Sequence, residues 1–159
     1  MNFDQIETTI GWRPYVEEIV ASADMSLSLK EQFHSVWTTC GHRIREQVGN
    51  DELLAEFLWK ILPRFSGGQV TLFRGENRWR WENGQLGFCW SSRREVAAMF
   101  GRGLNAISSG GVLLQIESEI DAIIAGPSDH SEYLNELEFT VDLRRLANIR
   151  VVEKYSAET

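Results

Sequence analysis

The hydrophobic pattern of this sequence changes its period near residue 66, and this change constrains the fold more than any other feature. Before it, apolar residues recur every three or four positions, as in 53–61, which is typical of amphipathic helices. After it, short runs rich in β-branched and aromatic residues predominate, beginning with 70–73. The intervening Ser66-Gly67-Gly68 predicts a loop. A helical front and a strand-rich back indicate the α+β class.

Helix starts can be predicted from capping patterns. Ser28 with Glu31 forms a capping box that opens one helix, and Asn50 is suited to cap the next. Ser92 with Glu95 forms a second box, which predicts a further helix through residue 100. Because the chain has 159 residues, we expect a single domain over 1–159, with a helical segment at 1–65 and a β-rich part at 66–159.

The strand candidates of the β-rich part are short and are separated by glycine or polar residues. The segment 126–135 is the longest polar interval and predicts a loop. The predicted strands are 69–74, 86–91, 112–117, 122–125, 136–141 and 149–152.

The formal charge of −7 argues against a general nucleic-acid binder, which needs a surplus of basic residues. The charge is uneven along the chain. Residues 1–65 carry −4 and residues 103–159 carry −6, whereas residues 66–102 carry +3, with arginine as the only basic residue type there. Arginine suits forked contacts with phosphate or carboxylate. The basic window therefore indicates a small anionic ligand, an acidic partner, or pairing with the acidic C-terminal third.

Cysteine usage and the N-terminal residues bear on localisation. Cys40 and Cys89 are too few for a disulfide framework, and their spacing does not indicate a metal site. The first residues lack the basic and apolar regions of a signal peptide. No apolar run approaches the roughly 18 residues needed to span a bilayer. We therefore expect a cytoplasmic protein with no membrane segment and no metal.

Glu136-Leu137-Glu138 lies in the predicted strand 136–141. On a strand, Glu136 and Glu138 would face the same side, with Cα atoms roughly 6.5 Å apart. Such a pair is either an ordinary solvated strand face or a catalytic pair. Two carboxylates on one rigid face can stabilise a sugar-derived cation and activate an acceptor.

Two earlier segments complete a pattern with these glutamates. Arg74-Gly75 ends one predicted strand, and Cys89-Trp90-Ser91 ends another that leads into a capped helix. The order is arginine, serine, then Glu-x-Glu. Over about residues 69–153 this order resembles the ADP-ribosyltransferase superfamily, in its arginine–serine–glutamate branch, and is similar to phage and bacterial mono-ADP-ribosyltransferase-like proteins.

The resemblance implies a fold, a substrate and a set of roles. The fold would be a split, mainly antiparallel β core of ADP-ribosyltransferase type, with the N-terminal helices packed on it. NAD would be the substrate and a protein the acceptor, which makes the chain a transferase of the glycosyltransferase class. Glu138 would be catalytic and Glu136 would engage the acceptor, with Tyr133 on the acceptor-recognition loop. NAD would be held by Arg74, Gly75, Cys89, Trp90 and Ser91, with Cys89 at the usual serine position.

Three alternatives stay open. One is hydrolysis of NAD in place of transfer. Another is a non-catalytic module of the same fold that binds a protein partner, for example in phage–host conflict within the host cytoplasm. A third is a glycosidase-like hydrolase using Glu136 and Glu138, although neighbouring carboxylates on one strand are poorly placed to flank a sugar bond from two sides.

Overall fold

The computed structural model of the protein describes residues 2–157 and divides into two compact units. Within these residues the first unit comprises 2–64 with Ser128–His130, and the second comprises Phe65–Pro127 with 131–157. The first unit ends at Arg64, close to the position at which the hydrophobic period changes. Helices fill the first unit and an antiparallel sheet fills the second, which confirms the α+β prediction.

The first unit consists almost entirely of helices. The elements of the first unit are α1 (Phe3–Gln5), a π-helical turn (Ile6–Ile10), α2 (Trp12–Ala21), α3 (Leu27–Val48) and α4 (Asp51–Ile61). None of the helices within residues 2–157 is both long enough and apolar enough to cross a membrane.

Two helix starts show how the capping predictions fared. Asn50 caps α4 as predicted, because its side chain accepts a hydrogen bond from the Leu53 amide. The predicted cap of α3 at Ser28 is wrong. Ser26 is the cap, with an extended backbone and a hydroxyl that accepts from the Leu29 amide. Ser28 lies inside the helix, where its hydroxyl bonds the Gln32 side chain instead.

Aromatic side chains form much of the first unit's interior. The Phe33 and Phe57 ring centroids lie 5.2 Å apart, and those of Phe3 and Phe33 lie 5.5 Å apart, both in edge-on arrangements. Trp12 is 5.9 Å from Phe33 and is buried. Edge-on pairs add roughly 1 kcal/mol each beyond the burial of their area. The cluster therefore joins α1, α2, α3 and α4 into one core.

The second unit is built on six strands and two α-helices, with short 3-10 turns between them. All of its strand pairs are antiparallel, and the order across the sheet is β4-β5-β2-β1-β3-β6. The strands are β1 (Val70–Asn77), β2 (Cys89–Ser91), β3 (Gly111–Ser118), β4 (Ile123–Ala125), β5 (Glu138–Val141) and β6 (Arg150–Tyr155). Its α-helices are α5 (Arg78–Glu82) and α6 (Arg94–Arg102), whereas α7 (Asp129–Tyr133) begins in residues of the first unit and ends in the second.

The sheet is weakly joined at its centre. β1 pairs with β3 along its whole length, and β2 pairs with β5 from end to end. Between β1 and β2, however, the register consists of the Phe73–Ser91 pair. The sheet therefore resembles two three-stranded halves, β4-β5-β2 and β1-β3-β6, that meet at one point.

The two faces of the sheet have different neighbours. One face carries an apolar core that includes Leu72, Trp90 and Phe139, all buried. On the other face α6 packs through Ala97 and Ala98 against the central strands. Because side chains alternate along a strand, consecutive residues within β1, and within β2, project from opposite faces of the sheet.

The predicted capping box at Ser92 is wrong. α6 begins at Arg94, and its N-cap position is Arg93, which makes no side-chain cap. The Ser92 amide donates to the Leu137 carbonyl at 3.3 Å, so Ser92 continues the pairing of β2 with the chain before β5. The first backbone bond of the helix runs from the Ala97 amide to the Arg93 carbonyl oxygen, so Ser92 lies one position before the cap.

Close packing of α6 on β1 predicts a strong effect of Gly75→Ala. A Cβ at Gly75 would lie 2.1 Å from the Ala97 carbonyl oxygen and 2.3 Å from the Gly101 amide nitrogen. Because these are backbone atoms, α6 itself would have to move. We expect a loss of about 2–3 kcal/mol in the free energy of unfolding, measured by urea denaturation.

Gly68→Ala is the matched control for this measurement. A Cβ at Gly68 would have no atom within 4 Å, so we expect its stability to stay within about 0.5 kcal/mol of the original. Equal stabilities for the two variants would contradict the packing of α6 described here.

Candidate active site

Residues from two of the predicted motifs meet where β2 pairs with β5. Ser91 lies directly opposite Glu138, and Cys89 lies directly opposite Thr140. Opposed residues of an antiparallel pair project from the same face. Cys89, Ser91 and Glu138 therefore share one face, opposite to the face that buries Trp90 and Phe139.

Cys89 and Glu138 are in direct electrostatic contact. Both side chains belong to half-buried residues. Burial raises the pKa of the Cys89 thiol well above its usual value, and the charge of Glu138 and a hydrogen bond with its carboxylate raise it further. Arg74 and Thr140 oppose this shift to a smaller extent. The thiol is therefore protonated at neutral pH, next to a carboxylate.

Ser91 organises the chain that leads into β5. Its hydroxyl donates to the Glu136 carbonyl oxygen at 2.6 Å and accepts from the Arg93 amide at 3.0 Å. The residue is 7% exposed, so these bonds are sheltered from water. Ser91 thus fixes the backbone on both sides of the site and acts on Glu138 through the chain that precedes it.

The predicted strand 136–141 begins two residues too early. β5 starts at Glu138, because Leu137 has a left-handed backbone with φ 45° and Asn135 has φ 57°. A left-handed residue breaks the alternation that would place Glu136 and Glu138 on one strand face. The shared face inferred for the two glutamates is therefore wrong, and Glu136 lies in the loop that enters β5.

Two further residues bond the chain at or just before the start of β5 and were missed in the sequence. Ser131 is fully buried, and its hydroxyl accepts from the Glu138 amide at 2.8 Å. Arg93 donates from Nη1 to the Asn135 carbonyl oxygen at 2.8 Å and is also paired with Glu95. A serine in a polar loop carries no sequence signal for such a contact. Arg93 was visible only as part of the basic window.

Arg74 lies on the neighbouring strand but belongs to the other face. Its partner across β1 and β3 is Leu114, and it shares the face of Leu72. Its Nε donates to the Glu76 carboxylate at 2.8 Å, and its Nη1 donates to the Cys89 carbonyl oxygen at 2.7 Å. Arg74 therefore reaches the site through the backbone of Cys89.

Three predicted site residues are placed apart from the Cys89–Glu138 contact. Gly75 is packed beneath α6. Trp90 is 1% exposed in the apolar core, and its Nε1 donates to the Gly87 carbonyl oxygen at 3.0 Å. Tyr133 ends α7 and is 86% exposed, five residues before Glu138. Its exposure suits contact with another molecule.

A separate groove lies on the second unit between α5 and the strands β3 and β6. Its volume is about 460 Å³, and none of the predicted site residues lines it. Within residues 2–157, no group of three or more histidine, cysteine or acidic side chains is arranged to hold a metal ion. The groove is lined by Arg78, Trp81, Glu82, Val112, Val151, Val152, Glu153 and Lys154.

Comparison of the chain with protein-family models, with curated proteins and with solved structures found no match. The functional interpretation therefore depends on the site itself. That site is a half-buried carboxylate beside a neutral thiol, and Ser91 and Ser131 hold the backbone at the start of β5.

The contact between Cys89 and Glu138 predicts how the thiol responds to Glu138→Gln. Removing the carboxylate removes a negative charge and a charged hydrogen-bond acceptor, so the pKa of Cys89 falls while burial still keeps it elevated. More thiolate is then present at a given pH. In a Cys40→Ser background, the rate of iodoacetamide labelling against pH should shift to lower pH.

Glu136→Gln is the matched control, since Glu136 is not among the groups that shift the Cys89 pKa. Its labelling profile should coincide with that of the background protein. A Cys89 profile that does not move in Glu138→Gln would show that the two side chains are not in contact in solution.

Proposed function

We propose that this chain is a mono-ADP-ribosyltransferase-like enzyme that cleaves NAD and passes ADP-ribose to a protein acceptor or to water. The observation that carries the proposal is the half-buried Glu138 carboxylate at the start of β5, in contact with Cys89 on the paired strand β2. The order of Arg74, Ser91 and Glu138 along the chain agrees with the resemblance in sequence. The adjacency of β1, β2 and β5 adds structural support.

The proposed chemistry uses the charge of Glu138. The bond between the nicotinamide nitrogen and the ribose breaks, and the nitrogen keeps the electron pair. Positive charge develops on the ribose, and a nearby carboxylate stabilises this state more than the ground state. The acceptor then bonds to the ribose carbon and loses a proton, which Glu136 is suited to take from the loop that enters β5.

The protonated state of Cys89 supports this role for Glu138. A thiolate beside the carboxylate would place a second negative charge in the site and repel the first. The raised pKa of Cys89 avoids this at neutral pH. The neutral thiol can donate a hydrogen bond to the carboxylate and so orient it, as a serine hydroxyl would.

Acceptor recognition is proposed for the exposed residues just before β5. Tyr133 is 86% exposed and Leu134 is 47% exposed. Exposed aromatic side chains contribute strongly to protein contacts. Because this segment leads directly into Glu138, a protein bound to it would lie beside the proposed catalytic carboxylate. The NAD-binding roles of Arg74, Gly75 and Trp90 stay predictions.

The decisive variant for this proposal is Glu138→Gln. The amide keeps the shape of the side chain but cannot neutralise the developing cation, so nicotinamide release from NAD should fall about 100- to 1000-fold. Release is measured with labelled NAD, with and without a cell lysate as the source of acceptor. Binding of NAD, followed by thermal shift, should be largely retained.

Glu119→Gln is the matched control, because Glu119 is exposed and its carboxylate accepts a hydrogen bond from the Gln69 side chain, away from Glu138. Its activity should equal that of the unchanged protein. If the unchanged protein neither binds nor cleaves NAD, the enzyme proposal is wrong and the protein-binding module becomes the better interpretation.

A further inference from the structure

Glu76 is a buried carboxylate for which the sequence-based site offers no role. It is 1% exposed, next to the junction of the two sheet halves. Its Oε2 accepts from Arg74 Nε at 2.8 Å and from the Gly87 amide at 3.2 Å. Its Oε1 accepts from the Asn77 amide at 2.9 Å, with Arg80 Nε at 3.4 Å. A buried charge is tolerated when it is paired and hydrogen-bonded in this way.

These contacts fix the position of the Arg74 guanidinium group. Nε is committed to Glu76, which leaves Nη1 directed at the Cys89 carbonyl oxygen at 2.7 Å. The chain before β2 also follows the guanidinium closely. A Cβ at Gly87 would lie 2.2 Å from Arg74 Cζ, so only glycine allows this approach without displacement.

The location of this contact explains why it matters. β1 and β2 pair at Phe73–Ser91, and no further register pair joins the two strands in the described chain. The Cys89 carbonyl lies beyond that pair, where backbone amides of β1 do not extend the pairing. The Arg74 side chain satisfies this part-buried carbonyl in their place.

We infer that Glu76 is a positioning residue for the Cys89–Glu138 site. It holds Arg74 against the Cys89 carbonyl oxygen and thereby fixes the strand segment whose thiol contacts Glu138. The positional part of this inference follows from the contacts alone, and its catalytic consequence rests on the proposed function.

The experiment follows the Cys89 thiol, which reports position independently of NAD. In a Cys40→Ser background, the rate of iodoacetamide labelling at Cys89 is measured at fixed pH under native conditions. Glu76→Gln removes the negative charge that holds Arg74. Arg74→Lys keeps the positive charge but loses the guanidinium group that contacts Glu76 and the Cys89 carbonyl oxygen together. In each variant Cys89 should be labelled about tenfold faster. The charged hydrogen bond that holds the Cys89 carbonyl is lost or weakened, so the strand segment opens more often.

The matched control is Glu82→Gln. Glu82 forms an exposed ion pair with Arg78 within α5, so its loss should leave the rate of Cys89 labelling unchanged. Labelling is repeated at low urea concentrations. Acceleration through global unfolding rises steeply with urea, whereas a local opening does not. If Glu76→Gln does not fold, Arg74→Lys alone decides the matter. Labelling at the original rate in the folded variants would overturn the inference.

Steady-state kinetics separate this inference from the proposed function. If both hold, Glu76→Gln lowers kcat about tenfold, because the site around Glu138 is held less firmly. A rise in KM for NAD as well would show that Arg74, which Glu76 holds, also binds NAD. Faster labelling in a protein that does not cleave NAD would support the positioning role and refute the enzyme proposal. Cleavage of NAD with unchanged labelling would do the reverse.

Discussion

The double pairing of β2 is the constraint on which the candidate site depends. β2 is only three residues long, yet it pairs with β5 on one side and meets β1 at Phe73–Ser91 on the other. Its register with β5 decides which side chain lies next to Glu138. A shift by one residue would place Trp90 on the face of Glu138 and expose a large apolar surface. Burial of Trp90 therefore fixes the register that brings Cys89 to the carboxylate.

The basic window acquires a local meaning in the structure. Its average charge of +3 indicated a small anionic ligand, an acidic partner, or pairing with the acidic C-terminal third. Most of its arginines instead pair with glutamates of the same window, whereas Arg94 pairs with Glu153 in the acidic third. The pairs within the window are Arg74 and Arg80 with Glu76, Arg78 with Glu82, and Arg93 with Glu95. Only the Glu76 cluster is buried, so it is the one whose electrostatics are least screened.

The sequence predicted the elements better than it predicted their ends. Periodicity identifies β1 to β6 because alternation and apolar runs are properties of whole segments. The start of β5 was missed because a single left-handed residue, Leu137, has no reliable signal in a non-glycine side chain. The contact of Ser131 with the Glu138 amide spans seven residues of loop, which no local pattern encodes. The pairing of Arg74 with Glu76 was readable, since residues two apart on a strand share a face.

Cys89 stands where the resemblance in sequence implies a serine, and a thiol at this position has a defined physical consequence. A thiol is a weaker hydrogen-bond donor than a hydroxyl, so it stabilises the Glu138 carboxylate less. Unlike a hydroxyl, it can also ionise, and its desolvation beside Glu138 is what prevents this. The site therefore depends on Cys89 staying sheltered, and its shelter depends on the position of β2. The carbonyl of the same residue is held by Arg74, and Arg74 by Glu76, so the thiol's protonation and the buried ion pair are linked through one residue.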